Sequence, residues 1–320
     1  MKEYRTLLID DAVALSSSRL LNSIAWRILD KRPPWASHYN RKILKMTVGR
    51  YAIVLTSGLC PVLPPTIRAL RREGVVCIYF SSDDPWNPGQ SSRWLHDALP
   101  EYDIVFTPRQ ANIADFIALG CKEVHYLPFG FDAELFPVSI DNSHTCSMPQ
   151  VLFVGGADRD RASFFRKFLE DGCDINLIGG YWDRFLDLKR FWMGHLPPKD
   201  VYELTAVAAV NLLLVRRANR DGHVMRTFEA GAIGGCLAVE DTGEHREIFG
   251  AEGETVRYFR TPSEAAKLCR ELIACPAERL RLSKAVKTRI RKGGNTYADR
   301  LNTMLAIVEE LRRGREKCSI

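Results

Sequence analysis

Short runs of apolar residues alternate with stretches of helical period along most of the chain. Residues 51–56 (YAIVLT) and 75–80 (VVCIYF) are apolar at nearly every position, and polar turns close them. Residues 103–106 and 124–127 are shorter runs of the same kind. Between them, 66–73, 91–99 and 110–119 read as helices, the first and last ending at Gly74 and Gly120. Strands that are apolar on both faces and alternate with helices predict a parallel sheet covered on both sides. The pattern then restarts. Strands are expected at 151–154, 175–178, 209–215, 236–239 and 255–258. Helices are expected at 161–170, 199–206, 224–233 and 244–249, with a helical tail at 263–274, 277–291 and 296–313.

Polar residues 138–150 (VSIDNSHTCSMPQ) have no period and read as a linker. The chain of 320 residues is long enough for two domains. Fold class is therefore α/β, with two successive doubly wound, Rossmann-like parallel-sheet domains. No apolar run reaches the roughly 20 residues that span a bilayer, and the N-terminus carries no secretory pattern. A cytoplasmic protein is expected. The nine cysteines include no Cys-x-x-Cys pair, which argues for free thiols and against a disulfide framework or a zinc site. Residues 1–72 hold 13 Lys and Arg against 4 Asp and Glu. That surplus suits an anionic acceptor or the inner face of a membrane, or it is a solvated helix face. No nucleic-acid module is recognisable.

Ligands of open parallel sheets bind at the carboxyl ends of strands, and four loops there carry chemistry. Gly155 and Gly156 follow a strand and precede a helix start with Asp158, Arg159, Asp160 and Arg161. Glycines admit a phosphate to the backbone, and Arg161 or Arg159 could add a contact. The Asp158-x-Asp160 pair is read as a helix cap rather than a metal site. The loop 216–223 is dense in cations and leads into a helix bearing Glu229. A carboxylate there needs a partner, either ribose hydroxyls or Arg226 one turn back. Asp83 and Asp84 end the strand 75–80 and are candidates to orient an acceptor or act as a base. Residues 127–132 (LPFGFD) read as a hinge.

Several segments carry a family resemblance: SDDPWN (82–87), YDIVFTPR (102–109), VHYLPFGFDAELF (124–136), VLFVGG (151–156), NRDGHVMRTFEAGAIGG (219–235), DTGEHREIF (241–249) and NTYADRL (295–301). In these the chain resembles the CgeB-like (spore-maturation protein) branch of GT-B glycosyltransferases, over roughly residues 50 to 310. The resemblance implies two domains facing a cleft. Residues 1–140 would be the acceptor side, 150–294 would bind the nucleotide sugar, and 295–320 would be a helix returning to the first domain. It implies transfer of a sugar from a nucleotide-diphosphate sugar, without metal or other cofactor, to a glycan, lipid or small-molecule hydroxyl, with retention. Glu229 matches the ribose-binding carboxylate of the retaining group's Glu-x7-Glu pattern, and Asp221 stands where the first Glu would. Asp221, Asp83, Asp84 and His223 are thus the catalytic candidates. Gly155, Gly156, Arg161, Arg220, Arg226, Thr227 and Glu229 are the donor-binding ones. An inactive nucleotide-sugar-binding protein and a sugar-nucleotide epimerase are the alternatives. The chain departs from the family at its start, which shows no strand and glycine-rich loop. That first unit is expected to be missing or replaced, unless the natural start lies upstream.

Overall fold

The structure, a computed structural model, describes residues 5–134 and 150–317. It comprises two compact units, Met1–Pro128 with Ala218–Arg220, and Phe129–Arg217 with Asp221–Ile320. Of the expected linker only Gln150 is described. Residues 138–149 lie outside the described residues, as do the last two of the 124–136 segment.

The first unit opens with a 3-10 turn at Asp11–Ala14, α1 (Arg19–Ile28) and α2 (Ala36–Thr47). There follow β1 (Ile53–Ser57), α3 (Pro64–Arg72), β2 (Val76–Phe80), α4 (Arg93–Ala98), β3 (Ile104–Thr107), α5 (Ile113–Ala118) and β4 (Val124–Tyr126). The four strands are parallel in the order β1-β2-β3-β4. Alternation along β2 sends Cys77 and Tyr79 into one core, with Tyr39 and Ile43 of α2, Ile67 and Leu70 of α3, Leu95 of α4 and Phe116 of α5. Val76 and Ile78 are buried on the opposite face, so the unbroken apolar run is explained by a strand enclosed on both sides.

The second unit contains β5 (Val151–Val154), α6 (Arg159–Glu170), β6 (Asn176–Ile178), α7 (Pro198–Val207), β7 (Val210–Leu213), α8 (Met225–Ile233), β8 (Leu237–Glu240), α9 (Gly243–Phe249), β9 (Arg257–Phe259), α10 (Pro262–Ala274), α11 (Pro276–Lys292) and α12 (Tyr297–Lys317). Its five strands are parallel in the order β6-β5-β7-β8-β9. The order reverses at β5. Val151 and Phe153 face a core shared with Phe165 and Phe168 of α6 and Ala265 and Leu272 of α10. Leu152 faces Val201 of α7 and Ala208. The irregular stretch after β6 also enters the core, because Trp182 is fully buried there.

Phe129–Phe131 is held by the start of α12. Phe131 N donates to Asn295 O at 3.1 Å, Tyr297 N donates to Phe131 O at 3.0 Å, and Arg300 Nε donates to Phe129 O at 3.1 Å. Helices α8 and α11 meet at Gly231, where an added Cβ would lie 2.7 Å from Ile290 Cγ1. Gly231→Val is therefore expected to overpack this contact and cost about 2 kcal/mol. Denaturant midpoints measure it, and an unchanged midpoint would refute the contact.

Candidate functional site

A parallel sheet exposes a crevice at the carboxyl ends of its strands where the strand order reverses. In the second unit that place lies between β5 and β7. The turn after β5, Gly155-Gly156, runs beside the turn after β6, Gly179-Gly180. Gly155 N donates to Ile178 O at 2.8 Å and Ala157 N to Gly180 O at 2.9 Å. The approach demands glycine. A Cβ on Gly179 would sit 2.5 Å from Gly155 O, and its φ of +130° is open to little else. Two tryptophans brace these turns from the core side. Trp182 Nε1 donates to Gly155 O at 2.9 Å, and Trp192 Nε1 donates to Gly179 O at 2.8 Å. In a trans peptide the C=O and the next N–H point opposite ways. The N–H groups of Gly156 and Gly180 are thus turned away from the tryptophans.

The four glycines line a pocket of about 350 Å³ together with His195, Tyr202 and Arg226. Arg226 and Glu229 lie one turn apart on α8, and Nη1 stands 2.9 Å from Glu229 Oε2. That approach is an ion pair without hydrogen-bond alignment, because the same Nη1 is buried and has no hydrogen-bond partner. Burial raises the Glu229 carboxyl above its ordinary range, and the Arg226 charge opposes this. Of the two partners weighed for Glu229 from the sequence, the structure provides Arg226. Burial also lifts the Tyr297 phenol to about 12, and the Glu229 charge adds to the effect.

Arg161 bridges the switch point from α6. Its Nη1 donates to Gly156 O at 2.9 Å and its Nη2 to Leu214 O at 3.3 Å, while the guanidinium lies 5.3 Å from the Phe153 ring centroid. Burial lowers its pKa. Arg161, expected to meet a diphosphate, thus ties the β5 turn to the end of β7. It also lines a second pocket, of about 370 Å³, with Asp158, Lys167, Arg217, Glu240 and Arg260. Asp158 caps α6, its Oδ1 accepting from Arg161 N at 2.9 Å.

The loop into α8 is clamped from α9. His223 is fully buried. Its Nδ1 lies 2.6 Å from Glu244 Oε2, and its Nε2 accepts from Phe129 N at 3.2 Å. Thr242 Oγ1 donates to Gly222 O at 2.5 Å. A Cβ on Gly222 would stand 2.4 Å from Glu244 Cδ, so the carboxylate packs flat on the glycine. Thr227 is buried too. Its Oγ1 accepts from Val224 N at 3.1 Å, capping α8, and pairs with His245 Nε2 at 3.0 Å. His223 and Thr227, named from the sequence as catalytic and donor-binding candidates, thus have buried partners that shape the loop. Asp221, partly exposed, emerges from this clamped base, its N–H donating to Arg216 O at 3.3 Å.

Arg220 sits at the Asp84 turn. It belongs to the first unit and makes a bidentate pair with Asp84, Nε to Oδ2 at 2.6 Å and Nη2 to Oδ1 at 3.0 Å. A third bond joins Nη1 to Asp115 at 2.6 Å. Asp84, 1% exposed, also accepts from Trp86 N and Asn112 Nδ2. The pairs with Asp84 and Asp115 raise the arginine's pKa further. Arg220 is thus paired with two carboxylates, and the buried Asp84 with a cation. Asp83 accepts from Asn219 Nδ2 at 3.3 Å. Sequence reasoning gave no role to Trp182, Trp192, Gly179, Gly180, Tyr202, Glu244 or Arg109. The last is buried and grips the carbonyls of Ser81 and Ser82 at 3.0 and 2.9 Å. A second Gly-Gly pair after a strand was the one signal that pointed to the missed half of the pocket.

Residues 159–306, just under half of the chain, match the family described as glycosyl transferase-like. No curated protein sequence matches. Among solved structures, sucrose-phosphate synthase from Thermosynechococcus elongatus aligns with a TM-score of 0.66 at 14% identity, over 90% of this chain and 80% of that one. Alpha,alpha-trehalose 6-phosphate synthase from Burkholderia multivorans aligns at 0.64 and 13%, over 88% and 76%. Anabaena HepE in complex with UDP and glucose aligns at 0.61 and 13%, over 85% and 82%. At such identities the likeness shows the fold, which is that of GT-B glycosyltransferases.

Two outcomes follow from the buried charges. Arg220→Ala should destabilise the protein by about 2 kcal/mol in denaturant titrations, below the usual 3–5 for a buried pair because Arg220 is partly wet. A loss under about 0.5 kcal/mol would show that Asp84 does not depend on it. Burial pushes His245 from 6.5 down to about 4. Unfolded chain takes up a proton near pH 6.5 and folded chain only near 4, so stability is lost as pH falls through that window, by about 3 kcal/mol. His245→Gln should flatten the fall in Tm from pH 6.5 to 4, and an equally steep fall would contradict the assignment.

Proposed function

We propose that this chain, a glycosyltransferase of GT-B fold, moves a sugar from a nucleoside-diphosphate sugar, with UDP as the first nucleotide to try, to a hydroxyl acceptor. The buried Nη1 of Arg226, ion-paired with Glu229 but without a hydrogen bond, at a pocket rimmed by four glycines carries this reading. A diphosphate oxygen would complete that donor, and the N–H groups of Gly156 and Gly180 would serve its neighbours. Glu229, paired with Arg226, takes the ribose hydroxyls. Asp221 takes the donor sugar, its side chain one methylene shorter than the family's glutamate. During transfer the bond from C1 to the diphosphate oxygen breaks, a bond from C1 to the acceptor oxygen forms, and the acceptor hydroxyl's proton passes to the departing diphosphate. Charge growing on the leaving diphosphate is met by Arg226 and the N-terminus of α8, so the reading calls for no metal ion. Retention, and membership of the CgeB-like branch, rest on the resemblance of the 219–249 block.

The second unit is assigned the donor and the basic first unit the acceptor. HepE, crystallised with UDP and glucose, supports trying UDP first. The epimerase alternative relied on Asp83 or Asp84 as base, and the ion pairing of Asp84 weighs against it. Calorimetric titration with UDP tests the assignment. Wild type should bind, and Arg226→Ala and Glu229→Ala should each weaken binding at least about tenfold, the loss of one charge-assisted contact. Asp221→Ala should retain UDP but stop release of sugar from UDP-glucose or another UDP-sugar. Unweakened UDP binding by Glu229→Ala would overturn the donor site. UDP binding with no sugar release by wild type, across a panel of UDP-sugars, would leave a binding protein.

A further inference from the structure

We infer that α1 is a membrane-docking helix that seats the protein on an anionic lipid surface. At 100° per residue, Leu20, Leu21, Ile24 and Ile28 share one side of α1. They are 71%, 39%, 43% and 74% exposed. Ala25, the helix's one buried residue, flanks this side next to Leu21, with Asn22 beyond it partly buried. A surface helix usually buries its apolar stripe; this one buries only an alanine at the stripe's flank and leaves Leu20 and Ile28 largely in solvent.

The chain anchors the helix firmly in that orientation. At its start, Ser16 N donates to Asn22 Oδ1 and Asn22 Nδ2 to Ser16 O, both at 2.8 Å. At its end, Asp30 and Lys31 are left-handed, with φ of 50° and 66°, a conformation costly for residues with a Cβ. Contacts hold this turn in place. Trp94 Nε1 donates to Asp30 O at 3.0 Å, Arg93 N to Asp30 Oδ2 at 2.5 Å, and Lys31 Nζ to Ser91 O. A helix pinned at both ends is not a stray segment awaiting a core.

Charge decides the occupant. Residues 15–50 hold eight Lys and Arg against one acid, Asp30, and that acid is occupied by Arg93 N. Arg27 borders the apolar stripe beside Leu20, and Arg19 lies further round the same polar edge. An apolar stripe bordered by Arg27, in a segment this rich in cations, fits the boundary between headgroups and acyl chains of an anionic leaflet. A second copy of the chain fits poorly, because it would bring like charge to like charge. The stripe also offers on the order of 400 Å², about half of what one partner of a standard interface buries. Among the described residues no helix can cross a membrane, so the contact is peripheral. This inference does not depend on the donor site.

Co-sedimentation with vesicles tests it, comparing phosphatidylcholine alone with phosphatidylcholine containing about a third phosphatidylglycerol. The full chain should pellet with the anionic vesicles and remain in solution with the neutral ones. Raising salt to about 0.5 M should weaken binding several-fold. Ile24→Asp/Ile28→Asp should weaken it at least about tenfold, as should Arg19→Glu/Arg27→Glu. Unchanged circular dichroism and UDP binding in these variants would exclude unfolding. The inference is overturned if wild type does not pellet with anionic vesicles at low salt, or if the Ile24→Asp/Ile28→Asp protein pellets as wild type does. It is also overturned if sedimentation equilibrium finds a dimer that this variant dissociates.

Discussion

Reversal of strand order at β5 is the constraint from which the candidate site follows. Parallel strands whose connections leave in opposite directions cannot both be roofed at their carboxyl ends. The gap between β5 and β7 must be closed by loop backbone or left for a ligand. Here the turn after β5, Gly155-Gly156, packs against the turn after β6 on its other side, so closely that Gly179 can carry no side chain. Trp182 and Trp192 take the carbonyls of Gly155 and Gly179 from within the core. Peptide planarity then directs the adjoining N–H groups the other way. A hydrophobic core contact thereby orients two polar donors, and Arg226 lines the same pocket.

Helix α8 carries the charges, and its placement rests on groups that resemble catalytic residues but do structural work. Thr227 and His245 satisfy its first turn, while His223 and Glu244 fix the loop before it. Gly231 allows α11 to approach from behind. The Asp84–Arg220 pair does the same in the first unit, where a buried carboxylate holds a turn through Trp86, Asn112 and Arg220. Buried charge of this kind is tolerated because each oxygen has a partner.

Most of the architecture was legible because strands enclosed on both faces are written as unbroken apolar runs. VVCIYF and VLFV mark β2 and β5 to within a residue, and glycines mark several helix ends. The site was less legible for a physical reason. A histidine, threonine, aspartate or arginine looks alike in sequence whether it faces a ligand or a buried partner. The partner of Asp84 is 136 residues away, and that of His223 is 21 away. Glu229 was the exception, because Arg226 stands one helical turn before it. The amphipathic period of α1 was readable, but which face would be covered depended on the surrounding fold.

A crystal structure of the protein with UDP bound addresses the central claim most directly. The account predicts the diphosphate beside Gly156, Gly180 and Arg226, with the ribose hydroxyls on Glu229. UDP bound away from the glycine turns, or an Arg226–Glu229 pair that remains closed with UDP held elsewhere, would contradict it.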